Sequence, residues 1–274
     1  METEVDILEF RVPVENKKTL FVWDIQPCHC QAFIHVSLFG VFSSFGPLYL
    51  LKVMPNCPPA PPGFYAVVKF YSAAQASKAQ QQTDRRTLFQ TTPVKVRVCT
   101  KQTPSHLLDP YNSKLLSHAR CVELANHCLG FNGWSTRIIT LKELSAAGPE
   151  EEEEERRRER KLRYGCMLLL SFPQHGASST GVSVEEDTFT DTGPEVCLQY
   201  RCKLQRLVRE KALVQAFSTV LLILLGNGKV MVEVRQDRDQ LPLESTEGNV
   251  QVTTVSWSEF AEEINEGEWD LSVS

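Results

Sequence analysis

The sequence predicts an α+β chain. A βαββαβ unit spans residues 16–102, a smaller unit of helix and antiparallel sheet spans 106–235, and an acidic region fills 236–274. Three observations predict this. Between residues 20 and 98, runs with a two-residue apolar period alternate with runs of helical period. Between Asn16 and Ser105, ten lysines and arginines face only Asp24 and Asp84, whereas from Gln236 onward ten acids face Arg238 alone. Finally, Arg120 to Leu141 reads in order as helix, stop, turn, tryptophan and strand.

The first strand is Leu20 to Ile25, LFVWDI. Leu20, Val22 and Ile25 point to a core, and Phe21 and Trp23 point to the opposite face. A helix is expected over Gln31 to Phe45, with Ile34, Leu38, Val41, Phe42 and Phe45 as its apolar stripe, and Gly46-Pro47 ends it. Leu48 to Met54 reads as a second strand. Pro55 to Pro62 is too rich in proline to join a ladder. Gly63 to Phe70, GFYAVVKF, is a third strand, with Phe64, Ala66, Val68 and Phe70 on one face and Tyr65, Val67 and Lys69 on the other. Ser72 to Gln82 is an Ala/Gln helix, and Val94 to Val98 closes the unit with Lys95 and Arg97 opposite the valines.

This order is the ferredoxin-like plan. Two adjacent central strands place Phe21 and Tyr65 on an open face, where a nucleobase can stack for about 1–3 kcal/mol per base. Here the unit resembles an RNA-recognition motif (RRM), LFVWDI matching its shorter signature and GFYAVVKF its longer one. The resemblance implies that Phe21 and Tyr65 are stacking rings, with Lys52, Lys69, Lys95 and Arg97 flanking the backbone path. Three positions depart from the pattern. Gly63 stands where the longer signature begins with Arg or Lys, Val67 replaces a second aromatic, and Asp24 replaces Asn. Trp23 is a candidate for the missing stacking surface. The expected result is modest affinity with weak base preference.

A short linker, Thr103 to Tyr111, leads to the stretch RCVELANHCLGFNGWS. Leu115, Leu116, Ala119, Val122 and Ala125 recur at helical intervals, with Cys121, Leu124 and Cys128 beside them. Gly130 stands where a helix takes a left-handed stop, and Asn132-Gly133 is a turn dipeptide. Trp134 opens an extended run, Thr136 to Leu141. The wording resembles the Rad fifty-two family of recombination mediators and single-strand annealing proteins, in which LAN is followed a few residues later by G-F/Y-N-G-W. The resemblance implies that Arg120 contacts DNA phosphates, that Phe131 and Trp134 are corner aromatics at the binding surface, and that Lys211 is a helix lysine of the groove. The Lys-Arg pair that the family carries late in its long helix is replaced here by Leu222 and Ile223. That exchange either weakens a phosphate groove or supplies an apolar surface for association.

Residues 146–163 form a charged insert ending EEEEEERRRERKLR, which reads as a solvated helix or a surface loop, with RRRERK also matching a short nuclear import signal. Tyr164 to Phe172 reads as a buried strand, Thr180 to Val184 as a short returning strand, and Glu185 to Glu195 as an acidic loop. Cys197 to Leu225 reads as mostly helical. Lys229 to Arg235 and Val250 to Ser256 read as strands, and Trp257 to Ser274 as an acidic end with spaced aromatics.

Composition narrows the function. The chain has 274 residues, a formal net charge of −5 and an apolar share of 42%, ordinary for a soluble protein with two small cores. The acidic METEVDILEF is unlike a secretory signal or transit peptide, and the apolar stretch Val220 to Leu225 is too short to span a bilayer. Nine cysteines without a Cys-x-x-Cys fit reduced thiols, and Cys28-His29-Cys30 has the wrong spacing for a zinc knuckle, so no metal or other cofactor is expected. No phosphate-cradling glycine loop, metal cluster or nucleophile elbow points to an enzyme. The basic excess of the first unit favours polyanions through counterion release.

An RRM joined to this corner is similar to the family of Rad-fifty-two-motif-containing proteins. The family likeness implies binding of single-stranded DNA, double-stranded DNA and RNA in recombination and repair, in nucleus and cytoplasm, by a homo-oligomer with no membrane association. Two alternatives stay open: an RNA-processing protein whose second unit only dimerises, and a protein-binding adaptor that uses the RRM face.

Overall fold

Alternation on the two-residue period buries one face of strands such as Thr19–Ile25 and Phe64–Phe70 in the computed structural model, which describes residues 5–99, 114–144, 159–190, 193–226 and 228–235. The linker Thr103–Tyr111, residues 146–158 of the charged insert, the strand expected at Val250–Ser256 and the whole region 236–274 lie outside the described residues. The elements in chain order are β1 (Val5–Glu9), β2 (Thr19–Ile25), α1 (Gln31–Ser43), β3 (Leu48–Pro55), β4 (Phe64–Phe70), α2 (Ala73–Thr83), β5 (Lys95–Val98), α3 (His118–Leu129), β6 (Ser135–Glu143), β7 (Glu159–Phe172), β8 (Ala177–Thr190), α4 (Pro194–Ser218), β9 (Val220–Leu225) and β10 (Val230–Val234). The chain is thus a mixed α and β fold with antiparallel sheets.

The run from β2 to β5 has the βαββαβ order and forms a four-stranded sheet, β3-β4-β2-β5. Leu20, Val22, Ala66, Val68, Phe70 and Val96 bury against Ile34, Leu38 and Phe42 of α1 and Ala76 and Ala79 of α2. Ser72 caps α2, its Oγ accepting from the backbone N–H of Ala74 and Gln75. One face of the sheet is therefore covered by helices and the other is open. β2 kinks at Asp24, whose φ of 63° lies in the left-handed region that Asp tolerates better than most side chains. Buried Gln90 holds the kink: its Oε1 accepts from Gln26 N–H at 2.9 Å and its Nε2 donates to the Asp24 carbonyl at 2.9 Å.

A second core joins α3, the sheet β6-β7-β8, α4 and a further sheet, β1-β9-β10. α4 lies on β7 and β8, burying Leu204, Val208, Ala212 and Phe217 against Leu168, Leu170 and Phe172. It crosses at Gly181, where a Cβ would come within 1.9 Å of the Ala212 carbonyl oxygen. Gly130 ends α3 at φ 77°. The N-terminal strand β1 precedes the first unit in sequence but pairs with β9, Leu8 opposite Leu222. Beyond it, Phe10 stacks on Phe217 with ring centroids 4.5 Å apart.

Four local expectations are corrected. The run 159–163, read as part of the insert, is the start of β7, and β8 extends to Thr190 through the supposed acidic loop. The two are one long hairpin, in which outward charges alternate with inward residues such as Leu162 and Phe189. Val220–Leu225 is a strand and not the end of the helix, so Leu222 and Ile223 sit mid-sheet, with Leu222 fully buried. Within α3, the buried stripe is Cys121, Leu124 and Ala125, and Ala119 is exposed.

Candidate nucleic-acid interface

The open face of the β3-β4-β2-β5 sheet gathers the ring-bearing positions. Leu20 and Val22 point inward, so Phe21 and Trp23 point outward, and Tyr65 joins them from β4. The Phe21 ring centroid lies 5.4 Å from that of Tyr65, tilted by 36°, and 5.7 Å from that of Trp23, tilted by 33°. Phe21 is the most open of the three at 40% exposure. The Tyr65 hydroxyl donates to Met54 Sδ at 3.5 Å.

Strand register turns this cluster into a row. Lys52 pairs with Val67, Val67 with Phe21, and Phe21 with Arg97. Cations thus stand at both ends of a line across the four strands, with the Phe21 ring between them. Such an arrangement can stack a base while its phosphates meet Lys52 on one side and Arg97 on the other. Lys95, opposite Trp23, is engaged by Asp24, whose Oδ2 lies 2.8 Å from its Nζ. Lys69 is half-buried at the far end of β4, beside Thr19. Burial, with repulsion from Lys18 behind it, holds its ammonium below the usual lysine range.

The residues expected to bind from the second unit are not gathered in the same way. Arg120 donates from Nη1 to Glu123 Oε2 at 2.6 Å, and its guanidinium carbon lies 5.7 Å from the Tyr49 ring centroid. Tyr49 in turn meets Tyr71 edge-on at 5.7 Å. Arg120 therefore joins α3 to aromatics beside the first sheet. Trp134 is committed to the second core, since its Nε1 donates to Asn126 Oδ1 at 2.9 Å and its ring meets Phe217 at 5.5 Å. Phe131, one turn earlier, is 85% exposed. Lys211 pairs with Glu185 on β8, as Lys203 does with Asp187 at 2.7 Å and Arg201 with Glu143 at 3.3 Å. These ion pairs hold positive charge of α4 against its own sheet.

One supporting residue escaped sequence reading. Gln90 orients the end of β2 from a loop, and no periodic signal marks it. Asp24 was legible as a negative charge, but its pairing with Lys95 depends on the register of β2 and β5.

The family model described as the RDM1 DSRM domain matches residues 116–221, which run from just before α3 into β9. RAD52 motif-containing protein 1 of Danio rerio is 50% identical over 279 aligned residues, covering 99% of this chain and 98% of that protein. The proteins of the same name from Gallus gallus and Homo sapiens are 42% and 38% identical, covering 93% and 94% of this chain and 91% and 92% of their own lengths. Among solved structures, the Mip6 RRM3 domain aligns over 32% of this chain and 98% of its own, at 20% identity and a TM-score of 0.26.

Proposed function

The chain belongs to the RAD52 motif-containing protein 1 family, and on that premise we propose that it is a nucleic-acid-binding protein whose main contact is the ring-bearing sheet face. One observation carries the reading: Phe21 sits between Lys52 and Arg97 in a single cross-strand row, with the Trp23 and Tyr65 rings against it. Stability gives no reason to leave these rings on an open face, and a stacked base gives one. Single-stranded DNA, double-stranded DNA and RNA are the proposed ligands. The helix-to-strand corner, with its likeness to the Rad fifty-two family, supports a place in DNA recombination and repair. The proposed protein is a homo-oligomer that acts by binding and not by catalysis, in nucleus and cytoplasm.

Binding of the full chain to single-stranded DNA, duplex DNA and RNA at two salt concentrations tests this. The expected result is measurable affinity that falls as salt rises, because each phosphate contact releases counterions. A second reading is a protein-binding adaptor, through the helix side and not the open sheet face expected from sequence, since the outer face of α1 leaves Phe33, Val36 and Phe39 exposed. Absence of binding to all three nucleic acids would favour the adaptor.

A further inference from the structure

Away from the open sheet face, a cleft of about 400 Å³ lies between the two cores. It is walled by the loop after α1, the first turns of α2, the end of α3 and the turn between β9 and β10, with β1 at its base. Its size is within the range of small-ligand sites. Two of its lining residues carry oxygens that are buried without a hydrogen-bond partner: Asp6 Oδ2 and Gln75 Oε1. A buried acceptor left unmade costs about 1–3 kcal/mol, so both oxygens favour a donor in the cleft, from water or from a ligand that displaces it. The Gln75 amide packs over Gly46, where any Cβ would come within 2.2 Å of Gln75 Cδ. Lys78 and Lys229 stand at the exposed rim. His127 lines the wall, and burial holds its imidazole below the usual pKa, which favours the neutral ring.

We propose that this cleft is a second nucleic-acid-related site, one that takes a guanine nucleotide. The cleft offers acceptors inside and cations at its mouth. Its occupant must present hydrogen-bond donors at one end and an anion at the other. A purine or pyrimidine nucleotide has that polarity, and the bases differ in their donors. Guanine presents N1–H and the N2 amino group side by side, two adjacent donors for the two unpartnered oxygens, Asp6 Oδ2 and Gln75 Oε1. Adenine and cytosine each place a ring acceptor beside their single amino group, which would face Asp6 repulsively. The phosphate then lies toward Lys78 and Lys229. A free mononucleotide and the end of a strand both supply such a base, since the recognised chemistry is the same.

The site goes beyond the sheet-face reading and is separable from it. Guanosine 5′-monophosphate and adenosine 5′-monophosphate are titrated against the full chain by calorimetry. In parallel, short single strands ending in guanosine or adenosine are titrated by fluorescence anisotropy. The expected result is a preference for guanine in at least one of the two formats. Asp6→Asn should raise that dissociation constant about tenfold or more and abolish the preference, since it removes a charge-assisted acceptor. Gln75→Leu should weaken guanine binding without touching β1, and serves if the Asp6 variant fails to fold. Phe21→Ala with Tyr65→Ala should leave the guanine preference intact, which distinguishes this site from the stacking face. Equal response to guanine and adenine in both formats, or a preference that survives both cleft variants, would overturn the assignment.

Discussion

Asp24 and Lys95 form an ion pair, Oδ2 to Nζ 2.8 Å, beside the outward Trp23 ring. Both side chains are about half exposed, so the pair contributes little to stability. Its larger effect is on the field of the sheet face, where it cancels one of the positive charges that a phosphate chain would meet. Asp24→Asn should therefore tighten single-strand binding by up to about fivefold at low salt, with a smaller gain at high salt. Asn also tolerates the left-handed backbone at this position, so the fold should persist. Unchanged affinity at low salt would show that the pair lies off the binding path.

The ring cluster makes a separate prediction. Phe21 and Tyr65 touch each other and contribute little to the buried core, which lies on the opposite face of the sheet. Phe21→Ala with Tyr65→Ala should weaken single-strand binding by about 1–3 kcal/mol per ring while the circular dichroism spectrum and unfolding midpoint stay near the parent values. Full affinity in a folded double variant would remove stacking from the mechanism.

The legible parts of this fold are those encoded by local period. Leu20 and Val22 alternate with Phe21 and Trp23, and Ile34, Leu38 and Phe42 recur at helical spacing, so both faces of the first sheet could be read from the chain. Val220–Leu225 has no such period. A continuous apolar run fits a buried strand or a buried helix equally, and only pairing with β1 and β10 decides it. β1 was illegible for a related reason: its partner lies roughly two hundred residues away, and a five-residue strand announces no distant partner. At the candidate site, the outward rings were legible from alternation. The Lys52–Val67–Phe21–Arg97 row was not, since register is a property of several strands at once. Trp134 was recognisable as a corner residue, but its role in the core depends on Asn126 and Phe217, which the fold brings to it.

Arg120 makes two intramolecular contacts, with Glu123 and with the Tyr49 ring, and the second ties α3 to β3. Arg120→Ala should lower the unfolding free energy by about 0.5–1 kcal/mol through the lost cation–π contact, and Arg120→Lys should restore only part of it. Chemical denaturation of the three proteins measures this. The same proteins report on phosphate contact, because a phosphate-binding arginine changes the salt slope by about one unit when removed. A shallower slope with unchanged stability would place Arg120 on the nucleic acid and not in the fold.

Phe10 gives the strongest stability prediction. It is 1% exposed, stacks on Phe217, and lies just beyond a strand that enters the second core from the opposite end of the chain. Phe10→Ala should cost about 3–5 kcal/mol, the scale for emptying a buried aromatic site, whereas Phe21→Ala on the open face should cost far less. The comparison also tests where the N-terminal segment belongs. If Phe10 packs with Phe217, amide exchange in the Phe10→Ala variant should accelerate in α4 and β9 while β2 and β4 of the first sheet stay protected. Faster exchange confined to β2 and β4 would instead assign the segment to the first unit and overturn the pairing of β1 with β9.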